Sequence, residues 1–289
     1  MDARTLHSWR ELDDAIADPS FARYPGQPRS TTVFRGLARA DYSNVSSLAR
    51  LDGDYAALER HLLRNFRKYA HTAEPGPTTW DWLALGQHHG LPTRLLDWTF
   101  SPLVALHFAT ASWPDDDAVL WAVDAAAAHR ALPTLLREAL DDEGSLFFTT
   151  AQLALYAPEL ADLGALAEDD PFLLFLEPPS INDRIASQAA VLSVISDPTC
   201  HLETWLSGHP GSWRAFRIPA ALKAEVRRRL DQAQITERTL MPGLDGLAAW
   251  LRRYYSPQAS ADGRHDEGAG AAMDGSDQAV QREGAMATS

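Results

Sequence analysis

At 289 residues, the chain is long enough for one large domain or two small ones with ample core. Its net charge of −13 argues against a general nucleic-acid binder, which needs a basic face to neutralise phosphates. Cys200 is the only cysteine, which excludes an intrachain disulfide and a cysteine-based zinc site.

The opening MDARTLHSWRELDDAI lacks the basic segment and apolar core of a signal peptide, and no apolar run reaches membrane-spanning length. The expectation is a soluble, cytoplasmic protein with no membrane partner. Ser8 and Glu11 have capping-box spacing and predict a short amphipathic helix to about Ala17. Asp18 to Arg29, with Pro19, Pro25, Gly26 and Pro28, reads as loop. Thr31 to Phe34 is β-branched and aromatic and predicts a strand running into Arg35-Gly36. An arginine leaving a buried strand needs a partner. That partner is either a carboxylate such as Asp97 or a ligand phosphate or ribose held by the guanidinium fork. Arg50 is a surface arginine or a second phosphate contact.

Asp54 to Ala70 has helical spacing, with Tyr55, Leu58, Leu62, Leu63, Phe66 and Tyr69 along one side. After the break at Pro75-Gly76-Pro77, Thr79 caps a mostly buried helix that ends at Gly90, since glycine enters the left-handed cap without a Cβ penalty. Pro92 pushes Leu91 toward extended backbone, and Arg94 to Thr99 reads as a short strand. Ser101 is placed as N-cap and Pro102 at the first helical position of an apolar, buried helix over Leu103 to Ala111. On residue chemistry alone, Arg94 and Asp97 form an internal ion pair, and His88 and His89 simply end a helix.

Ala118 to Val123 predicts a buried strand, with Asp124 capping a short helix. Pro133 to Asp170 reads as short helices. Phe172 to Leu176 is a further strand before the turn Glu177-Pro178-Pro179. Val191, Val194 and Ile195 suggest a strand with Gln188 at its start. Trp213 to Ile218 is another strand, and Pro219 opens a helix to about Ala233. From Ser256 the composition turns to Ala, Gly, Ser, Asp and Gln, which predicts a disordered acidic tail over 256–289.

The stretch Gln87 to Ala109, QHHGLPTRLLDWTFSPLVALHFA, resembles the central motif of the FRG domain family, Q-H-[HY]-G-L-P-T-R-L-L-D-W-T-x-S-P-L-x-A-L-x-F-A. Phe34-Arg35-Gly36 is the triplet from which that family takes its name. Ser46 to Arg50 is similar to the family's P-S-L-x-R run, with Ser46 in place of proline. Arg184, Ile185 and Gln188 match its R-I-x-x-Q-x-G-x-F pattern, in which Ala190 and Leu192 replace the glycine and phenylalanine. Gln234 to Tyr255 resembles the closing motif, Leu-x-Pro-x-Leu-x-Gly-Leu before a final helix. The resemblance spans 31–255, after an N-terminal helix and loop over 1–30.

The order of these motifs resembles the arginine–serine–glutamate layout of mono-ADP-ribosyltransferases. The resemblance implies an α+β fold, a mixed β-sheet core packed with helices and split as in those enzymes. It implies NAD as substrate, with an unknown acceptor. Arg35 and Gly36 would anchor the nucleotide. Thr99 and Ser101 would form the pocket wall, with Gln87, His88 and Arg94 as further ligand contacts. Gln188 stands in the acidic position. It carries no charge, so it stabilises developing positive charge less than a carboxylate and cannot act as a general base. Asp97 would supply the missing charge. The alternative is a non-catalytic nucleotide- or partner-binding module built on Gln87, His88, Arg94 and Asp97. Metal-dependent hydrolysis through His88, His89, His107 and Asp97 ranks last, because adjacent helical residues point about 100° apart.

Overall fold

The computed structural model describes residues 2–17, 31–70, 72–167, 170–179 and 183–256. The expected loop at 18–29 and the expected tail beyond Ser256 lie outside them. In chain order the elements are β1 (Arg4–Thr5), α1 (Trp9–Ile16), β2 (Thr32–Leu37), a single 3₁₀ turn (Leu48–Arg50), α2 (Tyr55–Tyr69), α3 (Thr79–His88), β3 (Leu96–Thr99), α4 (Pro102–Thr110) and β4 (Ala118–Asp124). There follow α5 (Ala125–His129), α6 (Thr134–Glu143), β5 (Phe148–Thr149), α7 (Thr150–Tyr156), α8 (Leu160–Ala165), β6 (Leu173–Glu177) and α9 (Asp183–Ser187). The last are β7 (Ala190–Ile195), α10 (Leu202–Ser207), β8 (Trp213–Ile218), α11 (Ala220–Gln232), α12 (Glu237–Leu240) and α13 (Leu244–Tyr255).

The fold is α+β. Eight strands make one mixed sheet in the order β1-β8-β4-β2-β3-β7-β6-β5. Only the edge pairs β1–β8 and β5–β6 are parallel. β2 pairs with β4 along its whole length, yet meets β3 at one position, Phe34 opposite Thr99. Two well-paired halves are thus joined by a single bridge at the centre.

Strand alternation sorts the core into layers. Val119, Trp121 and Val123 of β4 face one side, with Val33, Trp98, Val191 and Phe175. Leu120 and Ala122 face the other, packed on Phe34, Leu106 of α4 and Val226 of α11. On that second side the β6–β7 half carries a separate cluster with Trp80, Leu83 and Phe148. The two clusters flank β3, and the gap between them is where the site lies.

Helix ends follow local chemistry. Ser101 accepts from the Val104 N–H and Pro102 opens α4, as expected. Gly90, at φ 81°, terminates the turn after α3. The cap of α3 is Thr78 rather than Thr79. Thr78 accepts from the Asp81 N–H while Asp81 accepts from the Thr78 N–H, a reciprocal pair that Thr79 cannot make. β3 starts at Leu96, two residues later than expected, because Arg94 is drawn into the interior. Arg184 and Ile185 are helical, in α9, and Gln188 sits in the turn ahead of β7. The short strands β1 and β5 were not anticipated; each contributes only two residues at a sheet edge.

Candidate functional site

The site is a cavity of about 250 Å³ over the β2–β3 junction. Its walls come from Arg35 and Gly36, from Gln87 and His88 of α3, from Asp97 and Thr99 of β3, and from Phe108 of α4. Arg184, Ile185 and Gln188 close the remaining side.

Arg35 stands just past the single bridge, where the main-chain ladder between β2 and β3 stops. Its Nη1 donates to the Asp97 carbonyl at 2.7 Å, and its Nε donates to Asn44 Oδ1 at 2.9 Å. The side chain therefore replaces a strand-to-strand hydrogen bond and holds the junction open. The Asp97 carboxylate, proposed as its ion-pair partner, instead faces α3. Burial pulls the Arg35 guanidinium below its ordinary value; Asp97 opposes that shift and Arg50 reinforces it. Arg50 itself is exposed. Among the described residues, Arg35 Nη2 has no hydrogen-bond partner.

Asp97 is oriented by a relay. Thr93 Oγ1 donates to Gln87 Oε1 at 2.6 Å, which fixes the amide so that Gln87 Nε2 donates to Asp97 Oδ2 at 2.8 Å. Thr93 is itself pinned by Ser47 Oγ, which accepts from its N–H. Among the described residues Asp97 Oδ1 has no partner, so one carboxylate oxygen is left for the cavity. His88 lies on the same wall. Burial and then the Arg184 and His89 charges lower its pKa against the pull of Asp97, which favours the neutral imidazole.

Thr99 Oγ1 donates to the Gln188 carbonyl at 2.7 Å and accepts from the Ser101 N–H at 3.0 Å. It ties the turn before β7 to the start of α4. Gln188 Nε2 donates to the Leu240 carbonyl at 3.0 Å, so this amide is anchored to the closing motif. Gly36 has a packing reason. A Cβ there would overlap the Ala105 carbonyl oxygen and come within 2.8 Å of the Ala109 nitrogen, because α4 lies directly on β2.

Two expected contacts sit elsewhere. Arg94 is not on this cavity and does not pair with Asp97. Its Nε meets Glu59 Oε2 at 2.6 Å, with side chains 6% and 1% exposed, and its Nη1 donates to the Ser196 carbonyl. Glu59 also accepts from the Arg94 N–H. The sequence signal missed was Glu59, an acid on the inner face of an otherwise amphipathic α2. Ser101 does not line the cavity either; its hydroxyl caps α4. The four residues of the metal reading do not gather. His107 is buried on α4 against Arg227, whose Nη1 lies 3.0 Å from His107 Nδ1. Among the described residues no three His, Cys, Asp or Glu side chains group to hold a metal.

Residues 30–118 match the family model of the FRG domain. The matched segment holds the Phe34-Arg35-Gly36 strand, the whole Gln87–Ala109 stretch and thus most of the cavity wall. It ends before Arg184, Gln188 and the closing motif. No curated protein and no solved structure matches the chain. Among the described residues, no helix is long and apolar enough to cross a membrane.

Proposed function

We propose that the β2–β3 cavity of this FRG-domain chain binds NAD and transfers its ADP-ribosyl group to an acceptor. The observation that carries this reading is that a strand arginine and a carboxylate both line one cavity. Arg35 spends Nη1 and Nε on the scaffold and retains Nη2; Asp97 spends Oδ2 and retains Oδ1. Donor and acceptor are therefore both preorganised and both partly unspent, which suits a ligand carrying phosphate and ribose hydroxyls.

Bound NAD would supply an electrophilic ribose carbon as its bond to nicotinamide breaks, with the bonding pair leaving on nicotinamide. Asp97 provides negative charge beside the developing positive charge and can take the proton lost by the acceptor nucleophile. Arg35 holds a phosphate or ribose oxygen through Nη2. Gln188 offers its Oε1 to a ribose hydroxyl while Leu240 fixes its orientation. In this assignment the charge comes from β3 rather than from the position before β7.

The test is calorimetric titration of NAD into the parent protein and Arg35→Ala, followed by a nicotinamide-release assay on the parent and Asp97→Asn. Saturable binding lost in Arg35→Ala, with release lost in Asp97→Asn, supports the transferase. No binding at millimolar NAD refutes the pocket assignment.

A second reading has its own support. Gln188 is uncharged and its amide is tied to main chain, so the site retains a nucleotide without needing to turn it over. NAD-dependent thermal stabilisation with no nicotinamide release would identify a sensing module.

A further inference from the structure

We infer that a second groove, between α2 and the start of α8, is a binding site for a small phosphate-bearing molecule. The groove encloses about 620 Å³, within the range of ligand pockets, and lies apart from the β2–β3 cavity. α2 lines it with a row of three arginines, Arg60, Arg64 and Arg67, with Leu63 beside them, and the start of α8 adds an apolar wall of Leu160 and Ala161.

Helix spacing of i, i+4 and i+7 puts the three on one face, about 6 Å and then about 4.5 Å apart along the axis. Like charges at such spacing repel and destabilise a helix. Several other arginines of this acidic protein are matched with acids: Arg39 with Asp41, Arg94 with Glu59, Arg227 and Arg253 with Glu237. Arg60 and Arg64 are exposed and have no ion-pair partner among the described residues. Two acids also line the groove, and Glu159 is near enough to Arg67 to oppose the effect of burial on its guanidinium. Asp54 caps α2 through the Ala57 N–H, and Glu159 accepts from Thr79 Oγ1.

Arg67 adds a second, independent observation. Its Nε is buried and has no hydrogen-bond partner, while the guanidinium lies 5.8 Å from the Trp82 ring centroid. The protein supplies that donor with no acceptor, and the guanidinium that carries it lines the groove, where an anion can accept from its outer nitrogens. Guanidinium forks match phosphate oxygens in pairs, and the apolar wall accommodates an organic portion. The floor is already rigid, since Arg94 lines it from its buried pair with Glu59.

The experiment titrates inorganic tripolyphosphate, then ADP, into the parent protein, Arg60→Ala/Arg64→Ala, Arg10→Ala/Arg228→Ala and Arg35→Ala. Arg10 and Arg228 are exposed arginines outside the groove, so that pair removes the same charge without touching the row. The expected result is saturable tripolyphosphate binding to the parent, weakened about tenfold or more in the groove variant only. Stronger binding of ADP than of tripolyphosphate identifies the organic portion as part of the ligand. Absent binding, or equal weakening in the Arg10/Arg228 control, overturns the site. Because Arg35→Ala leaves the groove intact, loss of tripolyphosphate binding there would also overturn it, by locating the anion in the β2–β3 cavity.

Discussion

Replacing Arg94 by methionine separates a scaffold arginine from a ligand arginine. The parent guanidinium donates to Glu59 at 2.6 Å and to the Ser196 carbonyl at 3.2 Å, in surroundings that leave Glu59 1% exposed. Methionine keeps the apolar volume but leaves a buried carboxylate whose one protein donor in this cluster is the main-chain N–H of residue 94, at 2.9 Å. Breaking a buried pair from one side costs about 3–5 kcal/mol, and the orphaned Ser196 carbonyl adds about 1 kcal/mol. The expected loss is therefore about 4–6 kcal/mol, a large fraction of a typical domain's stability. Urea unfolding followed by circular dichroism reads it directly. The double variant Glu59→Leu/Arg94→Met removes both charges and is expected to recover most of the loss, because desolvation then has nothing to penalise. A single variant within about 0.5 kcal/mol of the parent would refute the scaffold assignment. Unchanged stability together with lost NAD binding would return Arg94 to the ligand.

Gly36→Ala is expected to destabilise by about 1–3 kcal/mol or more, since its Cβ meets main-chain atoms of α4 that no rotamer change can move; a thermal melt unchanged from the parent, with only ligand binding altered, would contradict the packing argument. Acid sensitivity comes in part from His129. Burial holds its imidazole at about 4, against an opposing pull from the Leu146 backbone, and its Nε2 accepts from the Phe175 N–H. A depressed histidine pKa means that the unfolded chain binds the proton more readily, so the contribution is intact above pH ~6.5 and is lost as pH falls toward about 4. The full effect is on the order of 3 kcal/mol. Urea midpoints for His129→Gln are expected to fall less steeply across that window, by about one proton; identical slopes would rule the residue out.

Residues with local consequences were readable from the chain. Ser101-Pro102 set the start of α4, Gly90 closed α3, and the continuous apolar run of Ala118 to Val123 placed β4. The misplacements share one physical cause, which is competition from residues distant in sequence. Arg94 and Asp97 stand three apart and look like a pair, but Glu59 reaches Arg94 from another helix and Gln87 reaches Asp97. Arg35 was read as bonding either a carboxylate such as Asp97 or a ligand oxygen, and within the protein it bonds a carbonyl and Asn44. Gln188 stands just ahead of β7 as read, but the partner of its amide, Leu240, lies some fifty residues on. No local pattern carries that information, because hydrogen-bond partners are chosen by geometry after the sheet has formed. The three arginines of α2 share one helix face by spacing alone; the apolar wall opposite them has no such local signature, since it comes from α8.

The polar residues of the central motif divide into two groups by what they have already bonded. Thr93, Gln87 and Thr99 are committed: each receives or donates within the junction, and together they hold β3 against α3, α4 and the turn before β7. Arg35 and Asp97 are half-committed, each fixed through one side and open on the other. Asp97 is exposed and Arg35 half-buried, so solvent reaches their open atoms and leaving them unbonded costs the fold little. A ligand-binding junction requires them open, and requires their other halves fixed, because a donor that must first be ordered loses affinity to that ordering. Gln87→Leu tests this division, since it removes the amide that aims Asp97 without touching Asp97 itself. If the relay serves the ligand, the variant folds and binds NAD more weakly; if the relay serves only the fold, it melts earlier and what remains folded binds as before.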